Sequence, residues 1–147
     1  MKKIVRMAGV LLAFALASCT QQPQSLSIIP IPLKAELQGG AFVVNEQTQV
    51  WIDAPEADKN ILQEYLAASP LKLAVATETP ASNAIVLKQV AELPGVESAE
   101  GYVLTATKKG VEVQAKSGAG LFYGVQTLLQ MATDANQIAL GTITDEP

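Results

Sequence analysis

Residues 102–116 read YVLTATKKGVEVQAK, and this stretch does most to decide the fold. Apolar side chains alternate with polar or smaller ones on both arms, over residues 102–107 and residues 111–116. A period of two is typical of β-strands that have one buried face. Because a short loop containing Gly110 joins the two arms, the stretch predicts an antiparallel β-hairpin.

Two helices are predicted on either side of the hairpin. One runs from about Ala119 to Ala132, and the other follows Pro55, which fits the first turn of a helix, and ends at Pro70. Both carry apolar side chains at helical spacing. These are Leu121, Phe122, Val125, Leu128, Leu129 and Ala132 in the first, and Ile61, Leu62, Tyr65 and Leu66 in the second.

Short strands are expected at residues 42–44, 49–53, 71–76 and 84–87, with a turn at Gly39-Gly40 before the first of them. Strands with one apolar face and amphipathic helices stack as a layer of helices on a sheet. The predicted fold class is therefore α+β: a small antiparallel or mixed β-sheet with two amphipathic helices packed on one face.

The composition excludes several classes of function. The chain has ten Lys plus Arg, fourteen Asp plus Glu, no His and one Cys, and its only Arg is Arg6 near the N-terminus. Nucleic-acid binding needs Lys and Arg to neutralise phosphates, so no nucleic-acid partner is expected. Without His and with one Cys, a Cys/His zinc site, an internal disulfide and a Ser-His or Cys-His nucleophile pair are excluded. No metal or organic cofactor is expected.

The first nineteen residues have the pattern of an export signal. Basic residues at Lys2, Lys3 and Arg6 precede an apolar run, residues 7–17, that is shorter than the roughly 20 residues a membrane span needs. The run ends in Leu-Ala-Ser-Cys at residues 16–19, which resembles the lipobox of bacterial lipoproteins. Cleavage between Ser18 and Cys19 would leave Cys19 as the lipidated first residue. An ordinary secretory signal with an incidental Cys is the alternative.

Residues 20–27 form a polar tether, rich in Gln and Ser and free of acidic residues. With the lipid on Cys19, they predict a protein anchored in the bacterial cell envelope, on the periplasmic side or in the outer membrane. The partner implied by the anchor is the membrane itself.

Three further stretches carry a family resemblance. They are residues 28–32, which read IIPIP and precede Gly40 and Phe42; residues 100–104, which read EGYVL; and residues 119–130, which read AGLFYGVQTLLQ. Together they resemble the N-terminal, non-catalytic domain of glycoside hydrolase family 20 β-N-acetylhexosaminidases. Related front domains occur in O-GlcNAcase-type glycosidases, so that neighbouring family remains an alternative.

The resemblance implies an accessory role. In the family this domain is a small α+β unit packed against a (β/α)8 barrel, in which a Glu is the general acid and an Asp orients the substrate's own 2-acetamido nucleophile. The resemblance places the accessory domain at residues 28–143, a junction at residues 144–147, and the barrel beyond this chain. The implied enzyme releases terminal N-acetylhexosamine from glycans, with no catalytic residue here. A stand-alone envelope lipoprotein that binds glycan or protein is the alternative.

Some residues suggest more specific sites. Asp145-Glu146 is an adjacent acidic pair, but it matches the family's junction better than a catalytic dyad. Residues 118–120 read GAG, yet the third glycine of a dinucleotide loop is replaced by Tyr123, so close helix packing is the preferred explanation. Trp51 fits core or interface better than sugar contact. Tyr123 and Gln126, on the last predicted helix, are the candidate interface with the barrel.

Overall fold

The computed structural model describes residues 27–132 and 136–147. The predicted signal, with Ser18 and Cys19, and the tether up to residue 26 lie outside these described residues. The described part of the chain forms one seven-stranded sheet and two helices. In chain order these are β1 Lys34–Val43, β2 Gln49–Asp53, α1 Glu56–Ala67, β3 Ala74–Val75, β4 Ala84–Gln89, β5 Tyr102–Thr107, β6 Gly110–Ala115, α2 Gly118–Met131 and β7 Gln137–Asp145.

The sheet is mixed, with the strand order β1-β7-β5-β6-β4-β2-β3. The predicted hairpin is confirmed: β5 and β6 pair antiparallel, from Tyr102 opposite Ala115 to Thr107 opposite Gly110. On the β5 side, β7 and β1 continue the antiparallel pairing. On the β6 side, β4, β2 and β3 pair in parallel. Strand β6 is therefore where the antiparallel and parallel halves meet.

The two faces of the sheet differ because strand residues alternate in direction. One row of paired residues crosses five strands and is almost fully buried: Ile52, Leu87, Val113, Leu104 and Ile143. The neighbouring row, on the opposite face, is partly or fully exposed: Trp51, Val86, Glu112, Thr105 and Thr142. We call the face with the second row the open sheet face.

Helix α2 lies unusually close to the covered face. Leu121, Val125 and Leu128 are fully buried against it. A Cβ added at Gly120 would lie 2.5 Å from the Gly101 carbonyl oxygen and 2.8 Å from Ala115 Cβ, and one at Gly124 would overlap a Val113 methyl group. Close packing therefore explains Gly120, as the sequence predicted for residues 118–120, and it explains Gly124 as well. The observed bounds of α2 differ from the predicted ones by one residue at each end.

Helix α1 lies beside α2 on the same face, as predicted. It buries Leu62 and Leu66, and the ring of Tyr65 lies 4.7 Å from the ring of Phe122 on α2, measured between centroids. The helix ends at Ala67, and the Ser69 hydroxyl donates a hydrogen bond to the Leu66 carbonyl oxygen at 2.7 Å. Neither helix in the described residues has the length and hydropathy needed to cross a membrane.

A buried polar cluster joins α2 to the sheet. The Tyr102 hydroxyl on β5 and the Thr127 hydroxyl on α2 lie 2.5 Å apart, with the Asp145 carboxyl group of β7 nearby. All three residues are buried. Burial raises the pKa of Tyr102 to about 12; the hydrogen bond with Thr127 opposes this shift, and Asp145 adds to it.

Three strands differ from the sequence-based expectation. Gly39-Gly40 does not form a turn but lies inside β1, where the pairing with β7 shifts register between Leu37 and Ala41 and Gly40 has a φ of 105°. The strand expected over 71–76 is reduced to the two residues of β3. Strand β7 was not predicted, and it includes Thr144 and Asp145, which were expected in the junction.

The close packing at Gly120 predicts that Gly120→Ala destabilises the protein, which is opposite to the usual effect of this substitution in a helix. At an open helix position, Gly→Ala stabilises a helix by up to about 1 kcal/mol. We expect Gly120→Ala instead to lower the free energy of unfolding by roughly 1–3 kcal/mol, because the added methyl group overlaps backbone atoms. Urea denaturation measures the change. The matched control is Ala119→Ser, which adds one atom at an exposed neighbour; equal or increased stability of Gly120→Ala would contradict the packing.

The Tyr102 shift makes a prediction about alkaline stability. A pKa raised from 10.0 to about 12 means that the folded state holds the Tyr102 proton more tightly than the unfolded state. The resulting stabilisation of the folded state is fully present below pH 10, and it is lost as the pH rises towards 12. The stability of the native chain should therefore fall more steeply over this range than that of Tyr102→Phe, measured by urea denaturation at each pH. Parallel curves for the two proteins would show that Tyr102 is not the cause.

Candidate docking surface on the helices

The outer side of α2 carries the two residues predicted to form an interface. Helical spacing directs Leu121, Val125 and Leu128 towards the sheet, and it directs Tyr123 and Gln126 away from it. Both Tyr123 and Gln126 are partly exposed. The structure thus brings them onto one helix face, and their contact with a barrel stays a prediction.

Aromatic rings extend this face across to α1. Phe122 contacts Tyr65 at 4.7 Å and Tyr123 at 6.3 Å between ring centroids, within the range of favourable aromatic pairs. Ile61, one turn before Tyr65 on α1, leaves 58% of its surface exposed. We call the whole patch the helix surface; its members are Ile61, Tyr65, Phe122, Tyr123, Gln126 and Leu129.

The sequence assigned four of these residues to the apolar stripes of the helices. They are Ile61, Tyr65, Phe122 and Leu129. Of these, Ile61 is exposed, and the other three are partly buried against the core. Helical periodicity reports that a residue is on an apolar stripe, and it does not report which neighbour covers the stripe. The sequence feature that could have indicated a partly exposed surface was the width of the stripe on α2, where apolar residues occupy consecutive positions.

A small cavity opens between the starts of the two helices. It has a volume of about 260 Å³, and its lining is apolar apart from Asp58. The other lining residues are Ile61, Leu62, Gly118, Ala119 and Phe122. Because Ile61 and Phe122 belong to the helix surface, this cavity gives that surface a recess large enough for a side chain.

The proline-rich segment adds further exposed apolar side chains. Ile28 is buried, whereas Ile29, Ile31 and Leu33 are 81%, 88% and 73% exposed. The Gln130 side chain of α2 holds this segment: its Oε1 accepts from Ile29 N at 2.9 Å, and its Nε2 donates to the Ile29 carbonyl at 3.3 Å. The segment is therefore attached to the end of α2 and continues its exposed side.

The acidic pair at the end of the chain is engaged by the chain's own backbone. Asp145 Oδ1 accepts from Leu33 N at 3.0 Å. The two Glu146 oxygens accept from Glu97 N at 2.8 Å and from Ser98 N at 3.1 Å. Both carboxyl groups thus hold chain segments together. The described residues include no group of three or more His, Cys, Asp or Glu arranged to hold a metal ion.

Trp51 lies elsewhere. It is partly exposed on the open sheet face and does not belong to the buried core cluster. The core alternative for Trp51 is therefore wrong, and the interface alternative stays untested. No contact joins Trp51 to the helix surface among the ring contacts of the described residues.

Similar proteins agree with the fold and with the resemblance. A β-hexosaminidase of Porphyromonas gingivalis is 31% identical over 144 residues, which is 89% of this chain and 18% of that protein. The GH20 β-N-acetylhexosaminidase of Streptomyces coelicolor superposes with a TM-score of 0.67 and 28% identity, over 86% of this chain and 28% of that one. The β-N-acetylhexosaminidase of Bacteroides fragilis, at 24% identity and a TM-score of 0.64 over 80% of this chain and 24% of that one, shares the fold.

The chain thus spans less than a third of the length of these relatives. Over its own length the match is nearly complete, because the family model described as glycosyl hydrolase family 20, domain 2, matches residues 25–146. That match decides in favour of family 20 over the related O-GlcNAcase-type front domains. The chain belongs to glycosyl hydrolase family 20, and it carries that family's N-terminal, non-catalytic domain 2.

Proposed function

We propose that this chain is the accessory domain of a lipid-anchored β-N-acetylhexosaminidase that removes terminal N-acetylhexosamine from glycans. A (β/α)8 catalytic barrel packs on the helix surface, with Tyr123 and Gln126 in the contact. The observation that carries the proposal is this surface of partly exposed aromatic and apolar side chains, with Ile61 exposed, on a domain of family 20. The Porphyromonas and Streptomyces relatives are both named as hexosaminidases, which supports the substrate class.

The chemistry of the helix surface suits a second protein domain. Soluble domains rarely leave contiguous apolar patches exposed unless something binds there. Aromatic side chains are enriched in the buried centre of protein interfaces, with polar groups around them. The helix surface has three aromatic rings at Tyr65, Phe122 and Tyr123, Ile61 on one side and the Gln126 amide on the other.

The chain's own exit point lies close to this surface. Asp145 ends β7 and binds Leu33 N, and the segment that Leu33 belongs to is fixed on α2 by Gln130. Glu146 holds Glu97 and Ser98, and the adjacent Ala99 carbonyl accepts from Ser117 at the start of α2. A polypeptide that continues beyond residue 147 therefore starts near Leu33 and the start of α2. A barrel at that point reaches the helix surface without a long linker, and Ile29 and Ile31 extend the contact.

Catalysis belongs to the barrel in this proposal. A family-20 glycosidase needs a carboxylic acid free to protonate the leaving group. Here Asp145 and Glu146 bind backbone N–H groups of the same domain. Their fixed positions serve the fold and the junction.

We expect the purified chain from Thr20 to Pro147 to give no turnover of a chromogenic N-acetylglucosaminide. The matched comparison is the product of the same reading frame continued past codon 147, which should hydrolyse the substrate. Turnover by the shorter chain above a no-protein blank would refute the accessory role. A stop codon at position 148 would instead favour the stand-alone binding lipoprotein.

Lipid anchoring is the second part of the proposal, and it rests on the LASC sequence at residues 16–19. A thioether at Cys19 with two or three acyl chains gives stable membrane attachment. We expect Cys19→Ala to move the protein from the membrane fraction to the soluble fraction and to abolish labelling with a fatty-acid analogue. A protein that remains membrane-bound and labelled after the substitution would contradict anchoring at Cys19.

A further inference from the structure

The open sheet face has a depression at the ends of β4, β5 and β6, on the side of the sheet away from the helices. Its volume is about 350 Å³, within the size range of small-molecule sites. The loop of residues 80–82 forms one wall. Its lining includes Ala84, Val86, Thr105, Thr107, Gly110 and Glu112.

No side chain rises from the floor of the depression at Gly110, because this position of β6 has no room for one. A Cβ at Gly110 would overlap the carbonyl oxygen of its partner Ala84, so Gly110 leaves bare backbone there. Val86 is partly exposed and supplies an apolar side chain beside it, whereas Ala84 is buried. The floor is therefore flat, with one apolar side chain, and substitution of Gly110 by a larger residue would disturb the pairing of β4 and β6.

Polar groups of β5 and β6 line the depression on the side opposite the loop of residues 80–82. The Thr107 hydroxyl is held in place, since it donates to the Gly110 carbonyl and accepts from Lys109 N, both at 3.2 Å. Glu112 is exposed, and its Oε1 accepts from the Gln114 side chain at 2.5 Å. Thr105 is paired with Glu112 across the hairpin. Hydroxyl and carboxyl groups thus face one edge of this flat floor.

Trp51 borders the same depression. It is paired with Val86, and Val86 is paired with Glu112, so the three side chains form one row on the open sheet face. Neighbouring strands are about 4.8 Å apart, which places the indole next to the lining residue Val86. Trp51 is the only Trp of the chain, and it is partly exposed.

We propose that the depression and Trp51 together bind a neutral oligosaccharide. A pyranose ring has an apolar C–H face and a rim of hydroxyl groups, which matches the Val86 side chain on a flat floor beside hydroxyl and carboxyl groups. One ring lies over Val86 with its hydroxyls donating to Glu112, and the next ring lies against the indole. Hydrogen bonds to a charged acceptor are the stronger ones. This site is on the face opposite the helix surface, so it requires no catalytic barrel.

The test titrates chitotriose, a trimer of N-acetylglucosamine, into the chain and follows Trp fluorescence and backbone amide NMR shifts. Because the chain has one Trp, the fluorescence reports on Trp51 alone. We expect saturable binding with a dissociation constant on the order of 1 mM, with shifted amides confined to β4–β6 and Trp51. A folded chain that shows no saturable change overturns the proposal.

Variants locate the site. Glu112→Gln and Trp51→Leu should each weaken binding about tenfold, as expected for the loss of a charged hydrogen bond or a stacking surface. The matched control is Glu36→Gln, in the same row of the open sheet face but three strands away, which should leave binding unchanged. If Trp51→Leu unfolds the chain, Thr105→Tyr fills the depression from its exposed side. Binding that survives both Glu112→Gln and Thr105→Tyr overturns the proposal.

Discussion

The close approach of α2 to the sheet is the contact on which the rest of the structure depends. Gly120 and Gly124 let the helix backbone lie directly against Gly101, Ala115 and Val113. The helix then buries one side completely and turns the other away from the core. With α1 beside it, that outward side becomes a surface of partly exposed aromatic and apolar groups.

The same helix brings both ends of the domain together. Gln130 binds the backbone of Ile29 near the start, and Thr127 contacts Tyr102, whose strand neighbour is Asp145 near the end. Asp145 in turn binds Leu33. The proline-rich segment, α2 and the end of β7 are thus one connected unit. In the proposed full-length enzyme, the membrane tether and the catalytic barrel would both join the domain at this unit.

The sequence predicted the elements that are amphipathic, and it missed those whose surroundings come from distant segments. The β5–β6 hairpin and both helices have a clear period, so their bounds were close. Strand β7 is buried on both sides from Ile138 to Gly141, which removes the alternation that identifies a strand. In β1 the Gly39-Gly40 pair suggested a turn, but pairing with β7 absorbs it as a register shift. Tyr123 and Gln126 lie on the outer side of α2, and their contact with a barrel stays a prediction. The exposure of Ile61 depends on how α1 packs against α2.

The most direct test of docking on the helix surface compares substitutions at two exposed apolar residues. Each substitution is made in the 147-residue chain and in the protein continued past residue 147. Ile61, 58% exposed, lies on the helix surface, and Val43, 51% exposed, lies on the edge strand β1. In the 147-residue chain, Ile61→Lys and Val43→Lys should change the midpoint of thermal unfolding by similar small amounts, because both lysines reach water. In the protein continued past residue 147, Ile61→Lys should lower the midpoint clearly, since docking buries the charge, and Val43→Lys should not. Equal effects of the two substitutions in the longer protein would contradict docking on the helix surface.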